Sequence, residues 1–555
     1  MPYDNTSQTL AEVRQMIEDG PLKGSNRARD LISSIDRVSE MLCRAPSDLL
    51  CNAPEVRKQI NAIHPAQHGI SAKTLANLKS CLADALRLVG AIPPNDAKTS
   101  HTLGWEAFLG HANAKHQAWS LSRLVSFCCN RMIEPDQVDD TVIEQFREYL
   151  DERLITKCPI ILIKQMCQTW NGIVSRNDLP HSTLNYQQSE RYICRPLSVY
   201  PKSLQGEINQ LISRLGQSDL FDPDAPDKAM KPISLRNTEA HIRQYLDGLV
   251  NSGVKVSDCT GLASVITEPL MIRGFRAMLE RTEDKKPTWS MNNIAGTLLA
   301  IARHHLKLPA EEIAAIASVR KRVSREPRGI SGKNTERLTQ FNDWQNVVRL
   351  ISLPSNLLDQ AKKSPNSTRS ALLAMHAAQL AVLLSCPVRV KNLAALDLER
   401  DIFPSRNGSH THYSIRIDGS SVKNEEPIEF RLNSRHSNIL HAYITKFRPL
   451  ISEAKGTALF PRRSDGLPRT PSQISQSLSG LIYRETGLHV HTHLFRHIAA
   501  KLYLSENPGD FETVRRLLKH RDLNTTMEFY AELSNQWAQK RYDEVVLSKW
   551  SSAND

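Results

Sequence analysis

The sequence predicts a mainly α-helical, multidomain protein. Helical N-terminal modules precede a C-terminal, mostly helical domain that carries a small antiparallel β-sheet. Three observations predict this. Apolar residues recur with the helical period along most of the chain, one short region alternates instead, and 555 residues exceed one ordinary domain.

The elements follow in order. Between Asp140 and Leu150 the apolar positions are Val142, Ile143, Phe146, Tyr149 and Leu150, one face of a helix. Between Thr238 and Val250 they are Ile242, Tyr245, Leu246, Leu249 and Val250, and Gly253 is the expected stop. Tyr413, Ile415 and Ile417 alternate, Asp418-Gly419 marks a turn, and Ile428, Phe430 and Leu432 alternate again, which predicts paired strands. Thr470 and Pro471 read as a helix cap and first turn; Ile474, Leu478, Leu481 and Ile482 make its apolar face, and Gly487 ends it.

Two stretches divide these elements. Residues 217–232 are rich in Asp and Pro and should be extended. Residues 320–337, RKRVSREPRGISGKNTER, hold seven Lys or Arg against two Glu and are expected to form a flexible basic strap. The chain is therefore divided into residues 1–98, 99–225, 226–330 and 331–555.

Composition narrows the function. Hydrophobic residues are 40% and charged residues 23%, a globular balance. No apolar run is long enough to span a bilayer, and the first residues lack the apolar core of a signal peptide. None of the ten cysteines forms a CxxC pair, which fits a reducing, cytoplasmic setting. The formal charge of +12 and pI of about 9.2 favour a polyanionic partner, nucleic acid ahead of a membrane surface. Arg320, Lys321, Arg322, Arg325, Arg328 and Lys333 of the basic stretch are the candidate phosphate contacts; a solvated linker is the plainer alternative.

The densest chemistry lies in HTHLFRH, residues 491–497. With Thr492 as helix cap, His493 and Arg496 share a face, and His493 with His497 has the spacing of half a zinc site. Metal is disfavoured: the carboxylate of HExxH is missing and Arg496 sets a permanent cation beside the ion. A helix start bearing a guanidinium and an imidazole suits an anion. Upstream, the apolar helix ALLAMHAAQLAVLLS runs into CPVRVKNLAAL and delivers Arg389. Downstream, LLKHRDLNTTMEFYAEL holds His520, a possible helix cap in Asn524, and Tyr530, whose phenol is either packing or a nucleophile.

Taken in order, RVKNLAAL, VKNEEP, HLFRH, LLKH and TTMEFY resemble the motif set of the tyrosine recombinase (phage integrase) family, of the larger bacterial integrase type. The resemblance covers about residues 335–535 and implies catalytic roles for Arg389, Lys423, His493, Arg496, His520 and Tyr530. It implies transesterification of a DNA phosphodiester, with Tyr530 attacking phosphorus to leave a 3′-phosphotyrosyl bond and a free 5′-hydroxyl. Arg389 and Arg496 would clamp the non-bridging oxygens, each donor being worth about 3 kcal/mol. Lys423 would protonate the leaving oxygen, His493 would move the tyrosine proton, and His520 would bond the phosphate. His497 is expected to be packing, and His491 part of the lead-in loop.

The sequence departs from the family at Asn392, often acidic, and at Lys519, commonly glycine. The resemblance further implies no cofactor and no metal. Residues 1–98 would be a helical domain binding DNA or another protomer, 99–225 a core-binding-like module with its linker, 226–330 a second DNA-binding module with the basic linker, and 331–555 the catalytic domain and tail. Double-stranded DNA at specific sites is the expected partner of a cytoplasmic, nucleoid-associated homotetramer, with sister recombinases or accessory proteins. Tail exchange through Trp537, Tyr542, Val545, Val546 and Trp550 would link the protomers. A type IB topoisomerase, a telomere resolvase and a catalytically inactive DNA-binding protein are the alternatives.

Overall fold

The computed structural model describes residues 8–96, 99–186, 194–218, 221, 226, 228–282, 284–325, 329–408, 410–422, 426–452, 456–524, 526–530 and 542–547. The fold is mainly α-helical, with one three-stranded antiparallel sheet among the described residues. Two compact units form: Met1–Tyr186 together with Arg328–Asp555, and Gln187–Pro327.

The second unit is a helical cluster. Helices Lys202–Leu215, Pro232–Asn251, Glu268–Glu280, Trp289–His304 and Ala310–Val323 enclose Leu204, Ile208, Leu246, Phe275 and Leu298. Division at residue 225 assigns Lys202–Leu215 to the preceding module, yet Leu204, Ile208 and Leu211 pack into this core. In the Asp- and Pro-rich stretch, residues 219–220, 222–225 and 227 lie outside the described residues. The expected basic strap is in part helical: Arg320, Lys321 and Arg322 form the last turn of Ala310–Val323, where cations complement the helix dipole. Lys333 lies in the first turn of Gly332–Thr339. Both ends read as linker because charge masks the apolar positions Val319, Val323 and Leu338, which are buried.

The first unit holds three cores. One gathers Leu10 to Ile92, a second Trp105 to Leu184, and a third Ile330 to Tyr530. Arg57 joins the first two: its guanidinium donates to the Asp151 carboxylate at 2.8 Å and to the Leu154 carbonyl at 2.7 Å. His64 joins the first to the third, its ring edge-on to Tyr483 at 5.1 Å and packed on Gly487. Gly487 has φ +75° and ends Pro471–Thr486, and Thr470 caps its start, as the sequence predicts; the structure adds a capping box that pairs Thr470 with Gln473.

In the third core, helix Thr368–Ser385 is apolar on nearly all sides and is buried accordingly. Helix Trp344–Lys362 packs along it. The sheet runs β1 (Ile402–Asn407), β2 (His410–Ile417) and β3 (Ile428–Arg431), with Ile415 opposite both Ile402 and Phe430. Strand β1 escaped the sequence reading because Pro404 breaks its pattern; as an edge strand it tolerates proline. Asp418-Gly419 is not a tight hairpin turn. The Asp418 carboxylate instead accepts from the Ser420 N–H at 2.9 Å and starts the short helical turn Gly419–Ser421.

Candidate active site

The site begins with backbone geometry. Helix Thr368–Ser385 ends at Cys386, and Pro387 directs the chain into Arg389, which stands at the N-terminal cap of Val390–Ala394. Arg496 lies in Leu494–Glu506 and is only 5% exposed. Its guanidinium donates to the Pro387 carbonyl at 2.8 Å and to the Leu518 carbonyl at 2.5 Å, tying three separate segments together. Two of its five N–H donors are used, so three remain for a ligand. Burial, then the charge of Arg389, push Arg496 down to about 10, so it stays charged at pH 7. Burial also lowers Arg389.

Tyr530 is 1% exposed. It sits in a helical segment whose described residues are 523–524 and 526–530. Asn524 is inside that helix, not its cap; the Asp522 carboxylate accepts the Asn524 N–H at 3.1 Å. Burial raises the Tyr530 phenol above its ordinary value, while Arg496 draws it back. The phenol oxygen lies 3.1 Å from His497 Nδ1. His520 stacks parallel to the Tyr530 ring at 6.5 Å, and its own Nδ1 is bonded to Thr526 Oγ1 at 3.0 Å.

Thr492 does not cap the helix as expected. It is buried and donates to Ser475 Oγ at 3.2 Å, and His493 takes the cap position without a side-chain cap bond. The His493 ring meets His497 edge-on at 5.3 Å and reaches solvent. His491 pairs with Asn334 Oδ1 at 3.1 Å, in the lead-in to the helix.

The electrostatics share one sign. Burial, then His493 and Arg496, push His497 down to about 4. Burial, then Arg496 and Arg389, do the same to His520. Partial burial, then Arg496, lower His493 although its ring reaches solvent. The three imidazoles are therefore neutral at pH 7 beside two fixed cations. Among the described residues no carboxylate acts on either guanidinium. Two guanidiniums held together without a counter-charge make an anion site whose oxygens match their planar forks. Among the described residues no group of His, Cys, Asp or Glu could hold a metal ion.

The structure thus brings Arg389, His493, Arg496, His520 and Tyr530 together. Lys423 lies outside the described residues, as does Arg328. Asn392 is 5% exposed and its Nδ2 finds no partner among the described residues, so it does not act as an acidic buttress would. Lys519 has φ +51°, the left-handed region that favours glycine, and from it the chain turns into His520. Two features escaped sequence reading. The carbonyls of Pro387 and Leu518 have no side-chain signature. His497 had one: it stands four residues after His493, on the same helix face.

A basic groove of about 1170 Å³ lies within the second unit. Asn292, Asn293, Thr297 and Arg303 of helix Trp289–His304 face it together with Arg214 and Arg320, and among the described residues no acid lines it.

Helices and one small sheet framing a tyrosine among paired arginines and histidines define a helical protein with an anion-receptive tyrosine site. Residues 354–536 match the model described as the phage integrase family. Tyrosine recombinase XerC of Azotobacter vinelandii (strain DJ / ATCC BAA-1303) is 30% identical over 169 residues, 30% of this chain and 51% of the relative. Tyrosine recombinase XerC of Bacillus subtilis (strain 168) is 26% identical over 240 residues, 42% of this chain and 67% of the relative. The chain spans about half the length of the first of these. Among solved structures, the XerH site-specific recombinase bound to difH substrate is 13% identical, with 60% of this chain and 95% of that chain covered and a TM-score of 0.30. A lambda integrase tetramer bound to a Holliday junction is 15% identical, with 65% and 87% covered and a TM-score of 0.31.

Proposed function

We propose that this chain is a tyrosine-type site-specific DNA recombinase that integrates or excises a mobile element through a 3′-phosphotyrosyl intermediate. The observation that carries the proposal is the Tyr530 hydroxyl, buried beside two guanidiniums and three neutral imidazoles with no carboxylate among them in the described residues. A phosphodiester supplies the missing negative charge. Tyr530 attacks phosphorus, and Arg389 with the free N–H groups of Arg496 takes the charge growing on the non-bridging oxygens. His520, steadied by Thr526, donates to the same phosphate, and Lys423 protonates the leaving 5′-oxygen. Phosphodiester energy is kept in the phosphotyrosyl bond, so a 5′-hydroxyl of another strand rejoins the DNA by the reverse step.

The modules before residue 330 bind the duplex. The groove beside helix Trp289–His304, and the cations Arg320, Lys321 and Arg322, supply phosphate contacts, while the amides of Asn292 and Asn293 are suited to base edges. The exposed Tyr542, Val545 and Val546 support tail exchange in a homotetramer on DNA; Trp537 and Trp550 lie outside the described residues. The protein acts at the bacterial nucleoid.

The test uses a duplex recovered by repeated binding selection from a random library, then nicked to trap the intermediate. The wild-type protein should form a covalent, denaturant-resistant DNA adduct, and Tyr530→Phe should form none. Binding without an adduct, identical for both proteins, overturns the proposal.

A further inference from the structure

The sequence leads to His493 as the group that moves the tyrosine proton. The geometry points to a different residue, and we infer that His497 holds the Tyr530 hydroxyl and takes its proton as the bond to phosphorus forms. This rests on the transesterification reading above and deepens it.

Contact comes first. His497 Nδ1 is 3.1 Å from the phenol oxygen, within reach for direct transfer. The two other imidazoles are differently engaged. His520 Nδ1 is bonded to Thr526 and its ring lies parallel to the tyrosine, whereas His493 touches His497 edge-on and makes no hydrogen bond to Tyr530. His497 and Tyr530 are 6% and 1% exposed, so bulk water does not compete for the hydroxyl. A neutral imidazole has one nitrogen lone pair; with the ring proton on Nε2, Nδ1 accepts the phenol O–H.

The cations make His497 a weak base in the free protein, and this sets the order of events. A phosphodiester between Arg389 and Arg496 offsets their field and strengthens His497 as a proton acceptor, so ionisation waits for DNA. The step balances. The O–H bond of Tyr530 breaks and its proton passes to His497 Nδ1; the Tyr530 oxygen bonds to phosphorus; the bond from phosphorus to the 5′-oxygen breaks, and that oxygen takes a proton from Lys423. In rejoining, the imidazolium returns the proton to the departing tyrosine.

The test compares His497→Asn, which keeps a polar atom near the Nδ1 position but cannot take a proton, with the wild type on the selected nicked duplex. A second duplex carries sulfur in place of the bridging 5′-oxygen, so its leaving group needs no acid. His497→Asn should bind DNA normally yet form adduct about a hundredfold more slowly on both duplexes. In the free protein, Tyr530→Phe should shift the nitrogen resonance of His497 Nδ1 and leave that of His493 in place. Adduct formation at the wild-type rate by His497→Asn overturns the inference alone, as does full rescue by the sulfur substrate. Absence of any wild-type adduct on either duplex overturns the transesterification reading and this inference with it.

Discussion

Replacing Arg496 with lysine keeps the charge and removes the geometry. Arg496 reaches two carbonyls, Pro387 and Leu518, from its two terminal nitrogens. A lysine ammonium is a single point on a flexible stem and cannot span both while also facing a phosphate. At least one carbonyl loses a charge-assisted hydrogen bond, worth about 2 kcal/mol. For a domain of this size that lowers the melting temperature by about 4–8 °C. The phosphate loses a preorganised donor as well, which costs roughly a hundredfold or more in adduct formation. The assay pairs thermal unfolding with single-turnover trapping on nicked duplex. Arg496→Lys should be impaired in both, and a larger defect in rate than in stability marks the clamp. Unchanged melting together with a rate within about fivefold of wild type would refute the two-carbonyl anchor and the clamp alike.

Two further predictions test the surrounding frame. In Gly487→Ala the new Cβ would lie 2.8 Å from the His64 ring at a residue with φ +75°. Backbone strain and overpacking together should cost about 2–4 kcal/mol. Hydrogen exchange should show faster opening around His64 and Tyr483, and exchange equal to wild type would exclude that contact. His376, on helix Thr368–Ser385, is pushed down to about 4 by burial and then by Arg469 and Arg484. Its folded value lies below its unfolded value, so the stability it contributes is complete above about pH 6.5 and is lost as pH falls towards 4. The loss is up to about 3 kcal/mol. The urea midpoint of His376→Gln should therefore depend less on pH across that window, and an identical slope would contradict the assignment.

Much of this architecture can be read from residues whose signal is local. Thr470, Pro471 and Gly487 mark both ends of a helix because caps depend on neighbours in the chain. Tyr413, Ile415 and Ile417 mark β2 because one face of the sheet is buried. The arginines and Tyr530 stand out as a motif set, although no spacing says that Tyr530 lies under His497. That contact joins residues 33 positions apart and depends on how two helices pack. Strand β1 was hidden by Pro404, which only its edge position makes acceptable. The helix Lys202–Leu215 was assigned across the wrong side of a linker, because an Asp- and Pro-rich stretch signals a bend but not which core the preceding helix joins. Asn392 and Lys519, read as departures, have physical content in the fold: one has a buried amide nitrogen with no partner among the described residues, the other a left-handed turn.

The most direct test of the central claim is the identity of the residue joined to DNA. Wild-type protein is trapped on nicked duplex, digested with protease and nuclease, and the peptide bearing the residual nucleotide is sequenced by mass spectrometry. The account predicts a nucleotide on Tyr530. A nucleotide on Tyr503, whose hydroxyl donates to the Asp510 carboxylate at 2.7 Å, or on the exposed Tyr542, would contradict it.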